Sequence, residues 1–153
     1  MSKCDNADIN LFNRDLERDM YIAGEWHKSG ILDRKDVIAI SGHGFVGGIY
    51  DGRNNVDYIN LEIINIKDFA KEIKNLDKWK NAKGNISYIL LDICDSGLGP
   101  KADNKNSAAQ QLANELKVPV YGTTGKFNYN RYIPFMNNPQ FGSKRILYKP
   151  EIK

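Results

Sequence analysis

Two residues in this sequence are of the types that thiol chemistry needs. His43 lies in Ser41-Gly42-His43-Gly44, and Cys94 lies in Asp92-Ile93-Cys94-Asp95-Ser96-Gly97. A cysteine attacks a carbonyl as thiolate. An imidazole beside it takes the thiol proton and later protonates the leaving group. The two residues need not be neighbours in sequence, but both must project from rigid supports into one cleft. Glycines flank both motifs and allow close approach of backbone to a substrate. The N–H groups of Gly44 and Cys94 are candidates for an oxyanion hole. Such a site requires no metal and no cofactor.

The supports can be read from apolar patterning. Val37-Ile38-Ala39-Ile40 is a continuous, mostly β-branched run, which predicts a strand over 36–41 buried on both faces. Ser87-Tyr88-Ile89-Leu90-Leu91-Asp92 predicts a second. Val118-Pro119-Val120-Tyr121, closed by Gly122, predicts a short third strand, and Arg145-Ile146-Leu147-Tyr148 a last edge strand. Phe69, Ile73 and Leu76 mark one face of an amphipathic helix. Residues 107–117 predict the clearest helix, opened by a capping box from Ser107 to Gln110. Phe12, Leu16 and Met20 predict a helix over 8–23, with Asp8 as its cap. Residues 47–52 and 56–61 read as a small hairpin.

Strands alternate with helices, so the expected fold class is α/β. It is a mainly parallel sheet flanked by helices on both faces, in one domain over residues 1–153. In such sheets, ligand-binding groups gather beyond the carboxyl ends of the strands. The loops 41–44, 94–97 and 122–125 then share one rim.

Ser41-Gly42-His43-Gly44 resembles the Ser-Gly-His-Gly of metacaspases, and Asp92-Ile93-Cys94-Asp95-Ser96-Gly97 resembles their Asp-x-Cys-x-Ser-Gly. His43 precedes Cys94 by 51 residues (94 − 43), close to the caspase separation of roughly 50. Residues 106–122 are similar to the self-processing cysteine protease domains of bacterial toxins and effectors, where an Ala-x-x-Leu-Ala helix also leads into a short strand. The resemblance covers residues 36–125. It implies a caspase-like three-layer sandwich, a Cys/His dyad peptidase and a protein or peptide substrate. It also implies that Asp92, with Asp95 nearby, favours cleavage after Lys or Arg. Thr123 is a candidate substrate contact from the third rim loop. The loop after His43 lacks the long acidic insertion of many metacaspases, so calcium activation is not expected.

Each feature also has a plainer reading. His43 between glycines could be an ordinary polar turn residue. A lone cysteine after an apolar strand is most often a small core residue. Asp92 could cap its loop through backbone N–H groups, and Thr123 could sit in a plain turn. Cys4 reads as an uninvolved thiol and His27, beside Trp26, as part of a surface turn. Phe127, Tyr129, Tyr132 and Phe135 read as a specificity loop, as a partner surface or as packing on the core edge. For the whole chain, two other functions compete with proteolysis. One is a caspase-like interaction module with little turnover. The other is amide hydrolysis or acyl transfer on a non-protein substrate.

Composition narrows the classes. The 153 residues are 41% hydrophobic and 27% charged, ordinary for a globular domain. The net charge of +3 is small and its lysines are scattered, so nucleic-acid binding is not expected. Two cysteines and two histidines without close spacing make a structural zinc site improbable. No apolar run is long enough to predict a membrane span. The N-terminus has no apolar stretch behind Lys3, which points to a cytoplasmic default and leaves open export by a route that reads no such signal. The sequence is silent on oligomeric state.

Overall fold

A computed structural model describes residues 7–18, 20–21, 34–54, 61–100, 106–128, 138–139 and 142–151. Cys4, the Trp26–His27 turn, residues 56–60 of the expected hairpin, and Tyr129, Tyr132 and Phe135 lie outside these residues, as does the side chain of Phe127. In chain order the strands and helices are β1 (Ile9–Asn10), β2 (Val37–Gly42), β3 (Gly44–Phe45), β4 (Gly48–Asp51), β5 (Glu62–Ile63), α1 (Ile66–Lys74), α2 (Asp77–Ala82), β6 (Tyr88–Ile93), α3 (Ala108–Leu116), β7 (Val120–Thr124), β8 (Phe127–Asn128), β9 (Asn138–Pro139) and β10 (Lys144–Tyr148).

The central sheet has the order β1-β2-β6-β7-β10. Its strands are parallel except β10, which runs antiparallel to β7. The two apolar runs form its middle. β2 pairs with β6 from Val37↔Tyr88 to Gly42↔Ile93 without a slip. Ile38, Ile40, Ile89, Leu91, Ile93 and Val120 join one buried cluster with Phe69 and Ile73 of α1 and Leu112 and Leu116 of α3.

α1 and α3 touch each other, so they share a face. The strand order gives the reason. It advances in one direction from β2 through β6 to β7, and right-handed crossovers then put both connecting helices on the same side. Helices on both faces were expected; among the described residues, these two helices cover one.

The segment after residue 8 differs from expectation. Residues 9–10 form a strand, with Ile9↔Ile40 and Asn10↔Ser41 in register. Ile9 and Leu11 are both buried while Leu16 is exposed, so the strand-like spacing wins over the four-residue repeat. Asp8 caps no helix. Its carboxylate accepts the Ala39 N–H at 2.8 Å and the Lys78 ammonium at 3.1 Å. The turn of 14–17 leads into helical residues at 18, 20 and 21. Asn13 opens it, its side chain accepting the N–H groups of Asp15 at 2.9 Å and Leu16 at 2.7 Å.

The other elements follow the sequence with local changes. Asn65 caps α1 and Ser107 caps α3, each accepting an N–H three residues on. The capping box of α3 is half formed, because the Gln110 side chain bonds Asn114 and the Lys149 carbonyl instead. Leu76 falls beyond α1, at the start of the unexpected α2. β4 pairs with both β3 and β5, so its far partner is Glu62–Ile63. β7 continues to Thr124 because β10 pairs along its whole length. Gly122, Thr123 and Thr124 are therefore strand residues, not a rim loop.

Candidate active site

The chain leaves β2 at Gly42 and turns at once into a tight hairpin. β3 and β4 pair as Gly44↔Ile49 and Phe45↔Gly48, with Val46 and Gly47 at the tip. Gly47 has φ 94°, a conformation that suits glycine. The Tyr50 N–H donates to the His43 carbonyl at 3.0 Å, which fixes the backbone of His43. Antiparallel pairs alternate between bonded and non-bonded, so Gly44↔Ile49 is a non-bonded pair. The Gly44 N–H accordingly points away from β4. A methyl group built on Gly44 would stand 2.4 Å from the Cys94 carbonyl oxygen and 2.4 Å from Ile93 Cγ2. Only glycine fits there.

The cysteine loop is a compact turn that follows β6. Asp95 has φ 57°, a left-handed conformation that Asp tolerates better than most residues. Its N–H donates to the Gly125 carbonyl at 2.8 Å. Ser96 is fully buried; its hydroxyl donates to the Ile93 carbonyl at 2.8 Å and accepts the Thr123 N–H at 2.9 Å. The Gly97 N–H donates to the Thr123 carbonyl at 2.9 Å, and the Tyr148 hydroxyl donates to the Gly97 carbonyl. Burial pushes the Tyr148 phenol above its ordinary pKa. The two loops are tied together, with the Gly47 N–H donating to the Leu98 carbonyl at 3.0 Å.

His43 and Cys94 each follow a register pair, Gly42↔Ile93, on adjacent parallel strands. They occupy equivalent positions on neighbours that lie about 4.8 Å apart. The structure thus brings His43, Gly44 and Cys94 to one rim. Cys94 is partly exposed. The His43 ring is partly exposed too, and the Phe12 ring stands edge-on to it with centroids 4.9 Å apart.

A third residue joins them. The Glu17 carboxylate Oε2 contacts His43 Nε2. Its Oε1 accepts the Asn13 N–H at 3.3 Å. The Glu17 side chain is only 5% exposed. Thiol, imidazole and carboxylate are the residue types from which a nucleophile, a base and a group that orients the base can be built. The sequence reading missed Glu17, which looked like one more charged residue on a polar helix face. The one signal was Asn13 four residues earlier, and that marks a helix start, not a site.

The expected substrate contacts sit elsewhere. Asp92 is fully buried, and its Oδ1 accepts a bond from Arg145 at 2.8 Å. Thr123 is fully buried in β7, where it supports the cysteine loop. A substrate contact does not fit these two: both side chains face the interior, and Asp92 already has a cation. Asp95 is partly exposed, with Lys126 Nζ 4.0 Å from its carboxylate. Among the described residues, no group of three or more His, Cys, Asp or Glu side chains could hold a metal ion. Among the same residues, no helix is long and apolar enough to cross a membrane.

Residues 7–138 match a family described as a domain of unknown function, DUF8616, and the chain belongs to that family. No curated protein matches the sequence.

Proposed function

We propose that this DUF8616 member is a cysteine peptidase of caspase-like architecture, with Cys94 as nucleophile and His43 as general acid and base. The observation that carries the reading is the β2–β6 register. It sets the two residues at equivalent positions past neighbouring strands, on loops that bond each other.

The chemistry runs in two halves. His43 takes the Cys94 proton, and the thiolate sulfur forms a bond to the scissile carbonyl carbon. The carbonyl oxygen becomes an oxyanion, held by the N–H groups of Gly44 and Cys94. As the C–N bond breaks, His43 gives its proton to the leaving amine, and an acyl-thioester remains. Water then attacks that ester, His43 accepts its proton, and the thiol is restored as the acid departs.

That the substrate is a peptide rests on the resemblance to metacaspases and toxin processing domains. So does a setting as a bacterial effector or self-processing protease. The burial of Asp92 and its bond to Arg145 remove the ground for a Lys or Arg preference before the cut.

Labelling by peptidyl acyloxymethyl ketones tests the proposal. The wild-type chain is expected to be labelled at Cys94, Cys94→Ala to take no label, and His43→Ala to react at least about 100-fold more slowly. Labelling equally fast in all three would refute it.

A further inference from the structure

We infer that Glu17 is the positioning residue of this site: it holds neutral His43 as the Nε2–H tautomer and so leaves Nδ1 to serve Cys94. The inference rests on the thiol-hydrolase reading, but it concerns a different residue and a separate property.

The argument begins with what a carboxylate can do. An ionised carboxylate only accepts hydrogen bonds, and a neutral imidazole has one N–H and one lone pair. Glu17 Oε2 meets Nε2, so the ring proton belongs there and the lone pair at Nδ1. The contact is fixed from several sides. Glu17 Oε1 accepts the Asn13 N–H at 3.3 Å, and the Glu17 N–H donates to the Asn13 carbonyl at 3.1 Å. A methyl on Gly52 would lie 3.2 Å from Glu17 Oε1 and 3.1 Å from the Leu11 carbonyl, so the chain after β4 closes over the carboxylate. Phe12 meets the far partner, the His43 ring. The Glu17 carboxylate is therefore held from both oxygens in a largely buried position, and the Phe12 edge covers one side of the ring.

A helix-start role alone would also place Glu17 beside Asn13, so the test must separate the two. Glutamine does so. In Glu17→Gln the Asn13 N–H still calls for an acceptor, which pins the amide oxygen on that side. The amide NH2 then faces Nε2 and donates to it, forcing the proton onto Nδ1. Glu17→Ala removes the carboxylate without imposing a tautomer. If Glu17 only supports the helix start, alanine is the worse substitution. If it sets the tautomer, glutamine is.

Nitrogen-15 spectra of the histidine rings read the tautomer directly. The chain has two histidines, and His43→Ala assigns them. The spectra are recorded in Cys94→Ala at alkaline pH, where the ring is in its neutral form. The lone-pair nitrogen of His43 is expected at Nδ1, moving to Nε2 when Glu17→Gln is added. Iodoacetamide alkylation of Cys94, followed by mass spectrometry, reads the consequence. It is expected to fall at least about 100-fold in Glu17→Gln and by less in Glu17→Ala.

A lone pair at Nε2 with Glu17 intact overturns the inference. So does alkylation of Glu17→Gln at the wild-type rate, or of Glu17→Ala more slowly than Glu17→Gln. The first measurement leaves Glu17 unchanged, so it holds even where a Glu17 variant fails to fold. If His43→Ala does not alter alkylation, the hydrolase reading fails, while the ring spectra still decide the role of Glu17.

Discussion

At Gly44 the histidine loop presses against the cysteine loop with no room between them. Its α-carbon leaves space for hydrogen alone, since a methyl would lie 2.4 Å from the Cys94 carbonyl oxygen. Its N–H is also one of the two proposed oxyanion donors. Gly84 is a useful contrast. It has φ 87° and nothing within 4 Å of a built methyl. Gly84→Ala therefore pays only backbone strain, about 1 kcal/mol. Gly44→Ala instead overpacks against rigid backbone and is expected to cost roughly 1–3 kcal/mol. Urea denaturation should rank the two in that order, and only Gly44→Ala should abolish ketone labelling. At this scale the sequence placed His43, Gly44 and Cys94 past the carboxyl ends of apolar strands, where functional groups of such sheets gather. It was uninformative about Glu17, whose importance depends on a contact 26 residues away in the chain.

Among the elements, the most legible were β2 and β6. Continuous apolar runs buried on both faces leave little choice of structure. α1 and α3 were legible through their helical periodicity and their caps. β1 and the far half of β7 were not, because their partners decide them. Ile9–Asn10 is a strand only because β2 offers an open edge, and Gly122–Thr124 is a strand only because β10 pairs with it. The β3–β4 hairpin was hidden for another reason: Val46-Gly47 is not a typical hairpin turn pair. Ser96 shows how these elements hold the site. Its hydroxyl joins the end of β6 to β7 through Ile93 and Thr123. Ser96→Ala leaves the buried Thr123 N–H without its acceptor, a loss of about 1–3 kcal/mol. Denaturant midpoints measure that. Alkylation of Cys94 should slow as well, because the same hydroxyl fixes the turn that carries the thiol. An unchanged midpoint would show that the loop stands without this link.

Across the whole molecule, the two ends of the sheet have separate tasks. The carboxyl ends of β2 and β6 carry the candidate site. At their amino ends Asp36 joins the same two strands, accepting the Ser87 hydroxyl at 2.6 Å and Arg34 at 2.8 Å. The Arg34 guanidinium, with help from Ser87, holds the Asp36 carboxyl down at about 2. Its pKa is thus lower in the folded chain than the ordinary 3.8. The stabilisation is complete above that ordinary value and is lost as pH falls through the folded one, a window from about pH 4 to about pH 2. Solvent screens this exposed group, so the effect is modest. Asp36→Asn should therefore flatten the fall in melting temperature across that window, measured by circular dichroism. It should leave Cys94 alkylation at neutral pH unchanged, since the substitution lies at the far end of the strands from His43 and Cys94. Equal acid slopes in the two proteins would show that Asp36 does not clamp the strands. Slower alkylation would show that the two ends of the sheet are coupled through β2 and β6.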